Sequence, residues 1–170
     1  MSHYNIDIIN HRSDSIVEGE FLKEVIHRVL FEERVHEASI SLALVSDAEI
    51  HNVNRQYLNH DFPTDVISFL LNANSSRDPE NPSKIDVLVS SSTDLEVKIE
   101  GEIIVSTETA IREARIHGWS PAAELLLYVV HGLLHLCGYD DLTDEARPQM
   151  RSRERELLAI WGFCPTGLES

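Results

Sequence analysis

One segment, SPAAELLLYVVHGLLHLCG from Ser120 to Gly138, constrains this chain more than any other. Ser120 followed by Pro121 is a helix cap followed by a favoured first helical residue. The residues after them are apolar almost all round, the pattern of a helix buried at the centre of a domain. Gly138 is expected to end that helix in a left-handed conformation. No run of about 18 apolar residues exists, which excludes a membrane-spanning helix.

His131 and His135 interrupt this apolar surface four residues apart, and therefore on one helix face. Buried imidazoles need partners, and a pair at this spacing is the plan of metal ligation. Gly138 then turns the chain, and Asp141 falls six residues after His135. The pattern is H-x3-H-x2-G-x2-D, with two nitrogen ligands on the helix and a carboxylate returning after the turn. Three ligands of this kind leave a fourth tetrahedral position for water, the arrangement of a catalytic zinc site. Asp140 is an alternative carboxylate, and either aspartate could instead cap the last helix. Cys137 points off the metal face and is expected to pack. The spacing equals that of metzincin peptidases, except that Gly132 stands where those enzymes carry glutamate. An HExxH peptidase mechanism, which uses that glutamate as general base, is thereby excluded.

The remaining periodicities place this helix in a mixed architecture. Strands are expected at Tyr4–Asn10, Ala38–Val45, Val66–Leu71 and Gly101–Ser106, from alternation or short apolar runs. Phe21, Leu22, Val25, Ile26, Val29 and Leu30 give a helix over about Val17–Val35. Ser46-Asp-Ala-Glu49 is a capping box that opens a helix over about Asp47–Leu58, and Asn59–Pro63 breaks it. Asn72–Lys84, polar and with two prolines, is expected as a loop. Ile85–Val89 and Leu95–Ile99 are expected to form a hairpin. Helices follow at Thr107–His117 and about Arg147–Trp161, with Pro148 in the first turn of the latter. Helices and strands mix without strict alternation, so the expected fold is α+β. It is a single domain over residues 1–170, a mixed sheet packed by about five helices.

Composition then limits the partners. The chain has 170 residues, with 14 Lys plus Arg against 29 Asp plus Glu, a net charge of −15. Affinity for phosphate chains comes chiefly from basic residues, so any nucleic-acid site must be local or built around a metal. Two cysteines, Cys137 and Cys164, are too few for a disulfide scaffold. The opening MSHYNIDIINHRSDS lacks the basic and apolar regions of a signal peptide. A cytoplasmic protein with reduced thiols is expected.

Three blocks in order carry a resemblance. His131–Asp141, HGLLHLCGYDD, is similar to the H-G-x-L-H-L-x-G-Y-D-H signature of the YbeY family of metal-dependent endoribonucleases. Asp61–Phe69, DFPTDVISF, resembles the family's D-x-P-T-D-V-L-S-F. Gly101-Glu-Ile with Ser106 and Thr109-Ala-Ile-Arg112 resembles its G-D-I-x-I-S…T-A-x-R segment. The resemblance implies an α+β fold and one zinc ion held by His131, His135 and Asp141. It further implies single-strand-specific RNA cleavage in 16S ribosomal RNA 3′-end maturation and ribosome quality control. The implied partners are single-stranded RNA, the small ribosomal subunit and assembly proteins, with no DNA and no membrane.

The chain departs from the family pattern twice. Asp141 replaces the third histidine, giving a His2Asp donor set that zinc accepts. Leu58 stands where the family usually carries an arginine suited to contacting phosphate. Arg55, three residues earlier on the same helix face, is the candidate substitute. Thr64, Asp65 and Ser68 lie in a matching block, and Asp65 is the second catalytic candidate. Arg112 matches a family position but equally suits a surface ion pair. Two other readings remain: a zinc-stabilised, non-catalytic ribosome-assembly factor, and a single-zinc amide hydrolase.

Overall fold

The computed structural model describes residues 2–13, 16–60, 64–73, 77–78, 81–85 and 96–164. In chain order the elements are β1 (His3–Asn10), α1 (Gly19–Glu32), β2 (Glu37–Val45), α2 (Asp47–Leu58) and β3 (Val66–Ala73). Then come β4 (Arg77–Asp78), β5 (Asn81–Ile85), β6 (Lys98–Ser106), α3 (Thr107–His117), α4 (Pro121–Leu136) and α5 (Ala146–Ala159). The main sheet runs β1-β2-β6-β3, with β1, β2 and β6 parallel and β3 antiparallel to β6. The mixed α+β class is as the sequence predicts.

Alternation decides what each face of this sheet carries. Ile40, Leu42 and Leu44 of β2 and Ile99, Ile103 and Val105 of β6 join the large core with α1 and α4. The opposite residues, Val45 and Ile67 with Ala43, Phe69 and Ile104, form a smaller cluster under Ile50 of α2. Leu125, Leu126, Val129, Val130, Leu133 and Leu134 of α4 are all fully buried. Each such side chain contributes about 1.5–3 kcal/mol relative to exposure, so α4 is the best-fixed element and a stable base for ligands.

Local chemistry sets the element ends. Ser46 Oγ accepts the Glu49 N–H at 3.2 Å and opens α2. Ser106 Oγ does the same for Thr109 at 3.2 Å, opening α3, and Ser120 Oγ for Ala123 at 3.1 Å, opening α4. Asp47 joins the first two caps. Its Oδ1 accepts the hydroxyls of Ser106 and Thr109, both at 2.6 Å, and its Oδ2 accepts from Arg112 at 3.1 Å. Burial alone would raise the Asp47 carboxyl; these hydrogen bonds outweigh it and hold the group below its ordinary value. Arg112 thus takes the ion-pair role.

One sequence expectation about an element is corrected. Asn72–Lys84 is not one loop: β3 extends through Ala73, and Arg77–Asp78 pairs antiparallel with Asn81–Ile85 as a separate ribbon. Backbone pairing makes that ribbon, and a polar, proline-containing sequence gives no apolar alternation to announce it. Of the hairpin expected of Ile85–Val89 with Leu95–Ile99, only residues 85 and 96–99 are described, and Ile85 pairs with Arg77. Lys98 and Ile99 begin the central strand, where Lys98 pairs with Glu37 and Ile99 with both Ala38 and Ala73. Residues 86–95 lie outside the described residues. Helix α1 is shorter at both ends than the Val17–Val35 expectation, and α5 ends two residues before Trp161.

Candidate metal centre

The buried α4 presents His131 and His135 on its one half-exposed stripe, beside the loop that follows. Gly138, with φ of 102°, adopts the left-handed turn that other residues resist. That turn brings Asp141 back against the histidines. The His131 and His135 Nε2 atoms are 3.1 Å apart, and the Asp141 carboxylate oxygens lie 3.5 Å from each. Ligand atoms on a tetrahedral ion at about 2.0–2.2 Å stand roughly 3.3–3.6 Å from one another. Asp140 faces away: its Oδ1 accepts the Leu142 N–H at 2.9 Å and stiffens the loop.

Each imidazole is also held from behind. His131 Nδ1–H donates to Glu154 Oε1 of α5 at 2.6 Å, and Glu154 is buried. His135 Nδ1–H donates to the Tyr139 carbonyl at 3.1 Å. Those acceptors fix both tautomers and leave both Nε2 lone pairs facing each other and a carboxylate. Three converging electron-pair donors repel unless a cation sits among them, so the donor set fits a divalent ion. Burial lowers His131, but Glu154 and then Asp141 more than reverse it, leaving His131 raised. Burial and the neighbouring His131 lower His135.

The Tyr139 side of the loop is anchored independently. Its hydroxyl donates to the buried Glu33 at 3.1 Å, while Arg153 of α5 donates to the other Glu33 oxygen at 2.6 Å. A clamp between α1 and α5 therefore sets the position of the carbonyl that orients His135.

Gly132 lies between the histidines on the sheet side of α4. A Cβ there would meet Ile103 Cγ2 at 2.9 Å and Val66 Cγ2 at 3.3 Å. Helix and sheet touch at this point, so a glutamate there would have to displace the Ile103 and Val66 side chains or move α4.

Two cavities open at the centre and share Asp65, Val66 and His131. The smaller, about 300 Å³, lies between α2 and β3 and is lined by Asn54, Leu58, Thr64 and Ser68. The larger, about 400 Å³, lies between α4 and α5 and includes Trp119, Tyr128, Arg147 and Arg151. Asp65 Oδ1 accepts the Val66 N–H at 2.7 Å and the Thr64 hydroxyl at 3.3 Å. Leu58 is 41% exposed on the rim of the smaller cavity. Arg55 is exposed one turn away, donates to Asn52 at 2.8 Å, and is not among the described residues lining either cavity. Residues 61–63 of the DFPTDVISF block lie outside the described residues. Glu154 escapes the spacing argument, although it sits on the inward stripe of α5 with Met150, Leu157 and Leu158.

The family model described as "Endoribonuclease YbeY" matches residues 7–162. The endoribonuclease YbeY of Moorella thermoacetica is 39% identical over 160 residues, covering 91% of this chain and 96% of its own. That of Bacillus subtilis is 34% identical over 162 residues, covering 93% and 96%. The solution structure of TM1509 from Thermotoga maritima superposes with a TM-score of 0.59 at 27% identity, over 92% of this chain and 89% of that one. With the family model spanning nearly the whole chain and the signature residues gathered at one site, this protein belongs to the YbeY endoribonuclease family.

Proposed function

We propose that this protein is a zinc-dependent endoribonuclease that cleaves single-stranded RNA in 16S ribosomal RNA 3′-end maturation and ribosome quality control. The observation that carries the reading is the convergence of His131 Nε2, His135 Nε2 and Asp141 within 4.8 Å, at the junction of two open cavities. Its natural partners are single-stranded RNA, the small ribosomal subunit and its assembly proteins in the cytoplasm. No described helix is long and apolar enough to cross a membrane.

A zinc ion bound there supplies Lewis acidity toward a phosphodiester and acidifies water. The chain's own groups do the rest. His131 and His135 keep their Nε2 lone pairs toward the ion because Glu154 and the Tyr139 carbonyl hold the Nδ1 protons. Asp65 is the proton acceptor beside them: Oδ1 is occupied by Val66 and Thr64, and Oδ2, which has no hydrogen-bond partner among the described residues, takes a proton from the attacking water. Leu58 gives the smaller cavity an apolar wall. Arg55, one turn away, contacts phosphate outside that cavity.

An amide hydrolase of the HExxH type is disfavoured by the packing at Gly132. Labelled single-stranded RNA, incubated with the protein with and without chelator, tests the proposal beside a peptide substrate. Chelator-sensitive RNA cleavage with an intact peptide is expected. An uncleaved RNA with zinc bound would favour the non-catalytic assembly factor.

A further inference from the structure

We propose that the cavity between α4 and α5 is a nucleotide subsite. Arg147 and Arg151 hold phosphate there, and the Trp119 indole stacks a base of the RNA strand that crosses the metal centre. The proposal rests on the endoribonuclease reading above and names the part of the substrate that this cavity takes.

The cavity is framed by two helical stripes of the same spacing. Glu124, Leu127, Tyr128 and His131 line it from α4, and Arg147, Met150, Arg151 and Glu154 from α5. Both sets fall at i, i+3, i+4 and i+7, one face of a helix. Each stripe ends at the metal centre, α4 with the ligand His131 and α5 with Glu154 that holds it. Arg151 stands one turn from Glu154 along α5, and Arg147 about 10 Å away at 1.5 Å per residue. The two arginines therefore stand on successive turns of α5 leading away from the metal centre.

The far end carries an aromatic group held in one orientation. The Trp119 indole N–H donates to Glu124 Oε2, and His117 Nδ1 donates to the same oxygen at 3.2 Å. Tyr128 bonds the same carboxylate, and burial with that contact raises its phenol. Glu124 is buried, so its charge is consumed by these donors and fixes the indole rather than repelling a ligand. Glu124 lies seven residues before His131, about 10 Å along α4. A stacked strand advances about 3.4 Å per nucleotide, which puts the indole within roughly three nucleotides of the metal.

Charge favours the same assignment. In a chain of net charge −15, two arginines share this one cavity. Arg147 pairs with Asp144 at the exposed rim, a weak contact. Among the described residues no carboxylate pairs with Arg151. Of the four carboxylates lining the cavity, Glu124, Glu154 and Asp141 are engaged by the indole and the histidines, and Asp65 accepts the Val66 N–H and the Thr64 hydroxyl. Paired cations beside an aromatic face are the elements that bind a single strand without reading sequence.

The test uses metal-loaded, full-length protein and a short single-stranded oligoribonucleotide mixed in a stopped-flow instrument. The chain has two tryptophans, so Trp161→Phe leaves Trp119 as the only tryptophan, excited selectively over the tyrosines. Its emission should be quenched as RNA saturates the protein. The Arg147→Ala/Arg151→Ala double variant should bind at least about tenfold more weakly, with a log-log salt slope shallower by about 1.4, or 0.7 per phosphate. Trp119→Ala should lose about tenfold in affinity and Trp119→Phe should recover most of it. Unquenched emission at saturation, or parental affinity and slope in the double variant, would overturn the subsite while the parent still cleaves RNA. If the parent neither binds nor cleaves RNA, the endoribonuclease reading falls and takes the subsite with it.

Discussion

Glu154 Oε1 lies 2.6 Å from His131 Nδ1, joining a buried carboxylate on α5 to a metal-facing imidazole on α4. The bond orients the ring, fixes the proton on Nδ1 and makes Nε2 a better donor. Outer partners of this kind typically account for 10–100-fold in metal affinity. Glu154→Gln keeps an acceptor but removes the charge, and should weaken zinc binding by about tenfold. Glu154→Ala should weaken it further, and chelator competition measures both. Wild-type zinc affinity in Glu154→Ala would remove the carboxylate from the account.

The close contact at Gly132 makes a stability prediction. Alanine is the better helix former by about 1 kcal/mol, yet its Cβ would lie 2.9 Å from Ile103 Cγ2. Overpacking of this kind costs about 1–3 kcal/mol, so Gly132→Ala should lower Tm by several degrees. Gly132→Glu adds a buried charge and should abolish cooperative unfolding. A Tm at or above wild type in Gly132→Ala would show that α4 and β6 are less tightly apposed.

Asp47 provides a pH test. Its carboxyl is held below the ordinary 3.8, so the stabilisation is fully present above that value. It is lost as the pH falls through the lower, folded-state value. Asp47→Asn should be less stable at neutral pH, with the difference from wild type shrinking below about pH 4. Urea midpoints across that range decide it; a constant difference would contradict the linkage.

Much of this could be read from the sequence because α4 is so constrained. An apolar helix with two histidines four residues apart leaves few interpretations, and the Gly138 turn puts Asp141 within reach. Glu154 is harder to read because α5 is crowded with charge, and only its place between Met150 and Leu157 marks it as inward-facing. The start of β6 is hard to read from the sequence for a related reason. Lys98, Glu100 and Glu102 alternate with Ile99, Gly101 and Ile103, but a glycine reads as a break until Leu136 is seen lying against it. The β4–β5 ribbon has no side-chain periodicity to detect.

The α2 side of the site yields a reciprocal pair. Leu58→Arg places a guanidinium on the rim of the smaller cavity, and should raise RNA affinity while steepening the salt slope by about 0.7. Arg55→Ala should weaken binding and make the slope shallower by a similar amount, with zinc content unchanged. Fluorescence anisotropy over a salt series measures both. Parental slopes in the two variants would place the RNA path elsewhere.

Asp65→Asn keeps the Val66 N–H bond through its side-chain carbonyl but loses the proton acceptor. It should lower kcat by about 10²–10⁴-fold, with zinc retained and RNA binding little changed. Single-turnover cleavage assays separate this from a binding defect. An unimpaired rate would assign the proton to another group.

The central claim is that His131, His135 and Asp141 together hold the ion, and zinc content after dialysis against a weak chelator tests it most directly. Wild type and Asp140→Ala should each retain about one zinc per chain, because Asp140 is turned to the Leu142 N–H. Asp141→His should also retain it, through a third imidazole. Asp141→Ala should lose most of its metal under the same conditions. Equal zinc in Asp141→Ala and wild type would contradict the three-ligand site.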